Sequence, residues 1–394
     1  MADGILSGLR VADFSRVLAG PYATMTLADF GADVVKIESP AGDDTRSWRP
    51  PVDDAGESTY FGAVNRNKRS VVCDLATPEG LAAAHSLAET ADVVVENFRP
   101  GVMERFGLDE YSLRPANPRL VYCSITGFGR AEGAGLPGYD LLVQAVGGLM
   151  SITGAPDGEP SKVGVALVDV LTGQNAVAGI LLALRERDRT GLGSRVDVDL
   201  LGSLLAALTN QASSTLATGR SPGRLGNAHP SIAPYELFRA ADRELVVAVG
   251  NDRQFAAFAA VLGLPDLAAD ARFSTNEERV HHRVALRAVL EPALAGRPAA
   301  EWVAAFGAAR VPAGLVNSVG EAFAFAESLG LDPVTTTADP STGRVSRQPA
   351  TPIHLSTSPA VHRTPPPLLG ADQPRGHEPL WLDAVRPSTE RTTR

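Results

Sequence analysis

Short runs of β-branched residues alternate with longer amphipathic stretches over the first 200 residues. Arg10-Val-Ala-Asp-Phe14 reads as a strand, followed by a turn at Ala19-Gly-Pro21 and a helix through Ala23–Phe30. Further strands are predicted at Asp33–Glu38, Ser70–Asp74, Asp92–Glu96 and Leu120–Ile125. Pro78-Glu79 opens a helix over Gly80–Thr90, with proline in its favoured first turn. This β-α-β rhythm predicts an α/β protein whose parallel sheet carries helices on both faces, a doubly wound, Rossmann-like large domain. The first strand-to-helix turn lacks GxGxxG, which leaves a nicotinamide or flavin site without support.

After a strand at Arg195–Asp199 and a helix at about Leu201–Thr218, the turn-rich Gly219–Gly226 marks a domain boundary. Residues 226–320 then read as a smaller α/β domain. It has a strand at Glu244–Val249 and helices at Asp252–Leu262, Val280–Leu294 and Ala299–Arg310. Residues 321–394 are expected to pack back on a large domain of 1–225. The longest apolar helix, around Ala176–Leu184, contains Gly179 and runs into Arg-Glu-Arg-Asp-Arg, so it reads as a domain helix too short to span a bilayer. With no signal peptide ahead of the first strand, a soluble cytoplasmic protein is expected.

Composition narrows the function classes. The 394 residues suffice for two domains at ~100–200 residues each. A net charge of −9 supplies no global basic field, which argues against nucleic acid and anionic membranes as partners. The two cysteines, Cys73 and Cys123, follow apolar strand-like runs and read as small buried residues, not as a disulfide or metal framework.

The residue of most chemical interest is Asp169, where an apolar run meets a long helical pattern expected over Val170 to about Arg187. A carboxylate there needs hydrogen bonds. Free N–H groups and the positive dipole end of the helix are expected to favour its ionised form. Taken alone, it reads first as an N-cap.

Several segments together resemble the family III CoA-transferases (the CaiB/BaiF family). They include Asp13-Phe-Ser-Arg-Val-Leu-Ala-Gly-Pro21, Gly31–Glu38, Gly42-Asp-Asp-Thr-Arg46, Asn65–Ser70 and Val95-Glu-Asn-Phe-Arg-Pro-Gly101. Ser124–Gly129, Gly138–Gln144, the segment ending at Asp169 and Pro-Pro-Leu-Leu-Gly370 follow in the family's order. Within the family the likeness is strongest to the succinyl-CoA:dicarboxylate branch, of the succinate–hydroxymethylglutarate type. The resemblance implies an interlocked homodimer, no tightly bound cofactor and no metal. Coenzyme A and acyl-CoA are then substrates, and a small carboxylic acid is the acceptor.

The resemblance places the nucleophile on Asp169, through an aspartyl anhydride and an aspartyl-CoA thioester. It places CoA contacts on Val17, Leu18 and Ala19, on Cys73, Asp74, Leu75 and Ala76, on Asn97, Phe98, Arg99 and Arg105, and on Gly138, Tyr139 and Asp140. Ser39 and Ala76 stand where relatives often carry basic residues. Candidates for the acid's remote carboxylate are Arg16, Arg46, Arg66 and His229, with Gly250 and Asn251 in the loop over the site. Related racemases carry histidine at the position of Tyr139, and a phenol of pKa about 10 is a poor base at neutral pH. Acyl-CoA racemase or isomerase chemistry is therefore the lesser alternative. Formyl-CoA-type transfer is another, disfavoured because Val249-Gly-Asn-Asp252 lacks a polyglycine run. A third is non-catalytic acyl-CoA binding.

Overall fold

The computed structural model describes residues 4–374 and 381. The chain divides into two compact units. The first takes the chain up to Gly147, then Gly164–Ala217, and the stretch from Gly330 onward. The second takes Gly148–Val163 and Thr218–Leu329. The expected boundaries thus shift: residues 148–163 leave the large unit, and 321–329 belong to the smaller one. Residues 375–380 and 382–394 of the expected returning segment lie outside the described residues.

The first unit is built on six parallel strands in the order β3-β2-β1-β4-β5-β6. Along the chain run β1 (Arg10–Asp13), α1 (Ala19–Asp29), β2 (Asp33–Glu38), β3 (Lys68–Val72), α2 (Pro78–Thr90), β4 (Val93–Glu96) and β5 (Val121–Thr126). Then come α3 (Asp140–Val146), α4 (Leu167–Thr190), β6 (Arg195–Asp199) and α5 (Leu200–Ala207). Strands buried on both faces need near-continuous apolar runs. Val11, Ala12, Val34, Val35 and Val93 to Val95 meet that need, all nearly inaccessible.

Two helices differ from the sequence expectation. α1 starts at Ala19, so Gly20 and Pro21 form its first turn instead of a preceding one. Proline is well suited to a first turn because its missing N–H would be unpaired there anyway. α4 begins two residues before Asp169 and extends 24 residues. By length and composition it could cross a bilayer, contrary to the shorter run expected. Its buried residues Val168, Thr172, Ala176, Ile180, Ala183, Leu184 and Arg187 recur at helical spacing, however. That stripe packs on α1, α5 and the sheet, as a domain helix does. A Cβ on Gly173 would sit 2.7 Å from the carbonyl oxygen of Ala19, so the starts of α1 and α4 lie against each other.

β3 is an edge strand, and its open backbone groups are taken by the returning chain. Ser70 N–H donates to the Asp372 carboxylate at 2.9 Å, and Asp372 N–H to Ser70 O at 3.0 Å. The Gln373 amide brackets Val72 in the same way, accepting from its N–H at 2.9 Å and donating to its carbonyl at 3.2 Å.

The second unit holds a three-stranded antiparallel sheet of β7 (Tyr235–Arg239), β8 (Glu244–Ala248) and β9 (Ala313–Leu315). Of these only β8 was legible as a strand. An aromatic core of Phe238, Phe255, Phe258, Phe273, Trp302 and Phe306 packs it against helices that include α6 (Asp252–Val261).

Candidate functional site

In a doubly wound sheet the crevice lies where strand order reverses, beyond the carboxyl ends of the strands. Here that point falls between β1 and β4. Arg16 to Ala19 follow β1, Asn97 to Pro100 follow β4, and Gly127 to Tyr139 follow β5. All three loops line one cavity of about 180 Å³, with Asp169 and Leu200 in its wall. The β5 loop is pinched at its neck: a Cβ on Gly127 would stand 2.4 Å from the Cα of Gly138. Neither position has room for a side chain.

The loop after β1 is held at three successive residues. Lys36 Nζ donates to Ser15 O at 2.8 Å. Asn97 accepts from Arg16 N–H at 2.8 Å and donates to Arg16 O at 2.7 Å. Val17 N–H lies 3.3 Å from each carboxylate oxygen of Asp43. Val17 adopts φ 69°, the left-handed region. A β-branched side chain there costs on the order of 1–3 kcal/mol and persists only where the surroundings enforce it. Asp43 supplies that enforcement from a fully buried position. It pairs with Lys36 at 2.9 Å and accepts from Thr45 N–H and Oγ1 at 3.0 and 2.7 Å. Burial pushes its carboxyl up, but Lys36 and these hydrogen bonds hold it below the usual carboxylate range.

Asp169 sits in the first turn of α4, whose N-cap residue Ala166 offers no side-chain cap. Asp140, at the start of α3, caps it from outside: Val168 N–H and Asp169 N–H donate to its Oδ1 at 2.8 and 3.2 Å. Gln144 Nε2 donates to the other oxygen at 2.6 Å. The Asp169 carboxyl is pushed up to about 7, first by burial and then by the negative charge of Asp140. This overturns the expectation that helix-end effects favour ionisation. A dipole contribution of ~0.3–1 kcal/mol is smaller than the burial and like-charge effects that produce so large a rise.

Tyr60 also faces this pair, since burial and the charges of Asp169 and Asp140 all raise its phenol. It stands edge-on to Trp48 with ring centroids 4.9 Å apart. Neither aromatic was singled out in the sequence. Their signal lay in the Gly42–Trp48 and Glu57–Phe61 segments, which share in the likeness to the dicarboxylate branch.

A second cavity of about 200 Å³ is lined by Cys73, Asp74, Leu75 and Ala76 together with Ser39, Phe14 and Ile37. Arg16 and Phe98 line both cavities. The Arg16 guanidinium stacks 4.9 Å from the Phe98 ring centroid, so the pair forms a shared wall.

The structure thus brings Val17, Leu18, Ala19, Asn97, Phe98, Arg99, Gly138, Tyr139, Arg16 and Asp169 to one cavity, and the Cys73–Ala76 stretch to its neighbour. Other expected residues are placed differently. Asp140 caps α4 and does not line either cavity. Arg105 is exposed on a one-turn helix, away from both linings. Arg46 is no substrate cation: it is buried and bound in a fork to Glu38 at 2.8 and 2.7 Å, with its guanidinium 3.7 Å over Phe61. Arg66 is likewise bound to Asp29 at 3.0 and 2.6 Å. Of the four expected cations, the first cavity is lined by Arg16 alone.

His229, Gly250 and Asn251 belong to the second unit, where each has a local use. His229 Nδ1 accepts from Ser231 N–H at 3.1 Å, capping its own turn. Asn251 caps α6, and Gly250 N–H donates to Gln254 at 2.9 Å. Among the described residues, no group of three or more His, Cys, Asp or Glu is arranged to hold a metal ion.

A succinate–glutarate CoA-transferase from Agrobacterium fabrum is 45% identical over 93% of this chain and 94% of its own length. An acetyl-CoA:oxalate CoA-transferase from Acetobacter aceti is 44% identical over 81% of this chain and 82% of its own. The crystal structure of a CaiB/BaiF family protein from Brucella suis superposes with a TM-score of 0.84 at 42% identity, covering 94% of this chain and 97% of that one. The family model for CoA-transferase family III matches residues 6–373, and the chain belongs to that family.

Proposed function

We propose that this protein moves CoA from succinyl-CoA, or a similar acyl-CoA, to a small dicarboxylic acid, with Asp169 as nucleophile. The observation that carries the reading is Asp169 itself: a partly buried carboxylate at a helix start, in a cavity at the switch point of the sheet. An ionised Asp169 oxygen attacks the thioester carbon. The C–O bond forms, the C–S bond breaks, and CoA thiolate leaves with the electron pair, giving a mixed anhydride. The thiolate then attacks the aspartyl carbonyl and releases the donor acid, leaving aspartyl-CoA thioester. The acceptor carboxylate repeats both steps in reverse, so CoA changes carrier with no net hydrolysis and Asp169 is regenerated.

The two cavities suit the two ends of the donor. The acyl group lies in the first, beside Asp169, and CoA extends past the Arg16–Phe98 wall toward Cys73–Ala76. Arg16 is the cation for the acceptor's remote carboxylate, and guanidinium matches carboxylate bidentately. Its present partner Asp44 is 3.4 Å away with both side chains half-exposed, a weak pair that a substrate carboxylate can replace. Relatives are named for glutarate and oxalate, both dicarboxylates, which supports the acceptor class.

The working form is an interlocked homodimer. Supporting it, large apolar side chains stand exposed on α3 (Leu141, Val146), on α4 (Leu181, Leu182) and on α5 (Leu205). Free, buried Cys73 and Cys123 suit a reducing cytoplasm.

Wild type and Asp169→Ala incubated with succinyl-CoA, trapped with hydroxylamine and analysed by peptide mass spectrometry, test the reading. A hydroxamate or CoA adduct on the Asp169 peptide, absent from the variant, is expected. Transfer activity without any adduct at Asp169 would overturn the nucleophile assignment.

A further inference from the structure

Asp43 lines the second cavity but is absent from the lining of the first, and it makes no contact with Asp169. Its fully buried carboxylate is nonetheless aimed at a single main-chain group of the loop after β1, Val17 N–H. That group belongs to a residue in a conformation valine disfavours. Glycine would adopt φ 69° without strain, so a valine held there marks a backbone whose position is enforced from outside. Three side chains in or after β2 and β4 hold residues 15–17: Lys36, Asp43 and Asn97. Immediately after Val17, Leu18 and Ala19 enter the lining of the cavity that holds Asp169, and α1 begins against the start of α4.

We infer that Asp43, braced by Lys36, is a positioning residue for acyl transfer: by holding Val17 left-handed it sets the main chain of residues 17–19 where the reacting acyl group must sit relative to Asp169. The inference rests on the function proposed above. Released from Asp43, Val17 relaxes toward an extended conformation. The stretch it leads into then moves by a fraction of a residue length, while Asp169, held by α4 and Asp140, stays in place. Misplacement by about 1 Å near the reacting atoms costs on the order of a hundredfold in rate. The consequence falls on kcat more than on KM, because the bulk of the CoA contacts lie elsewhere.

The test compares wild type, Asp43→Asn, Val17→Gly and the double variant Val17→Gly/Asp43→Asn, with succinyl-CoA as donor and glutarate as acceptor. Asp43→Glu serves as a second perturbation, since it keeps a charge for Lys36 but displaces the carboxylate from Val17 N–H. Asp43→Asn leaves one acceptor oxygen, on which Thr45 N–H, Thr45 Oγ1 and Lys36 also draw, so it and Asp43→Glu are each expected to lower kcat by roughly a hundredfold, equal to about 2.7 kcal/mol at 1.36 kcal/mol per tenfold. KM for either substrate should change by no more than about threefold on this placement argument. Val17→Gly, introduced beside either substitution, restores at least about tenfold of that loss, because glycine holds φ 69° unaided. The urea midpoint of the double variant rises no higher than that of the Asp43 variant alone. A merely structural role for Asp43 predicts no such rescue. The inference is overturned if kcat is maintained in both Asp43 variants, or if the loss is the same with valine and glycine at position 17. Failure of wild type to form an adduct on Asp169 while still transferring CoA would instead overturn the nucleophile assignment, and this inference with it.

Discussion

Replacing Asp169, the proposed nucleophile, should make the protein more stable, and by an amount that depends on pH. The Asp169 carboxyl titrates near 7 in the folded protein against an ordinary value of 3.8. A folded-state value raised above the unfolded one contributes stability that is fully present below pH 3.8 and is lost as pH rises through about 7. Asparagine, which never ionises, keeps that stability at every pH. The gap of about three units corresponds to at most ~4 kcal/mol at 1.36 kcal/mol per unit. Partial exposure of the side chain trims the realistic gain to ~2–3 kcal/mol. Among the described residues none donates a hydrogen bond to the Asp169 carboxylate, so the substitution forfeits no such bond. Urea unfolding of wild type and Asp169→Asn between pH 4 and pH 8 measures the effect. The variant should gain under ~1 kcal/mol at pH 4, and the difference should grow through pH 6 and level off above about 7. Transfer activity should be abolished throughout. A variant less stable than wild type at pH 8, or a gain that does not vary with pH, would refute the claim that burial and Asp140 hold this carboxylate away from its ionised form.

Two further outcomes follow from the same geometry. In Asp140→Asn the amide oxygen can still accept from Val168 and Asp169 N–H, but the like charge is gone, so Asp169 ionises at lower pH. The acid limb of kcat/KM, centred near 7 in wild type, should move to lower pH, and an unmoved limb would show that the two carboxylates are not coupled. Arg16→Ala should raise KM for a dicarboxylate acceptor at least about tenfold while changing KM for a monocarboxylate of similar length far less, which steady-state kinetics with glutarate and butyrate would check; an equal rise for both would remove Arg16 as the remote-carboxylate cation.

The sheet was legible because its evidence is local. Strands at Asp33–Glu38 and Val93–Glu96 are nearly unbroken β-branched runs, and α2 carries a proline at its start. The Ala19-Gly-Pro21 segment misled for a local reason as well, since the same residues serve a turn and a helix first turn. β7 and β9 escaped notice because strand runs of three to five residues interrupted by Glu236 or Gly314 carry no clear period. Asp169 could be picked out by its segment, yet its ionisation could not be read there. The sequence around it shows a helix start that should favour charge, while burial, and then the charge of Asp140, 29 residues earlier, which comes to cap the same helix, set the opposite sign.

The same non-local logic decides which cations remain for chemistry. Arg16, Arg46 and Arg66 look alike as residues in glycine- and asparagine-bearing loops. Glu38 claims Arg46 and Asp29 claims Arg66, each in a fork with nearly all of both side chains removed from water. Removing one partner of such a pair leaves a buried charge uncompensated, at a cost of ~3–5 kcal/mol, so these arginines are tied to the fold. Arg16 meets Asp44 only at 3.4 Å with about half of each side chain exposed, and giving up that contact costs under ~1 kcal/mol. Of these three arginines, Arg16 is therefore the one the fold has paired least well. Burial and pairing distance identify it, and neither can be read from the order of residues in the chain.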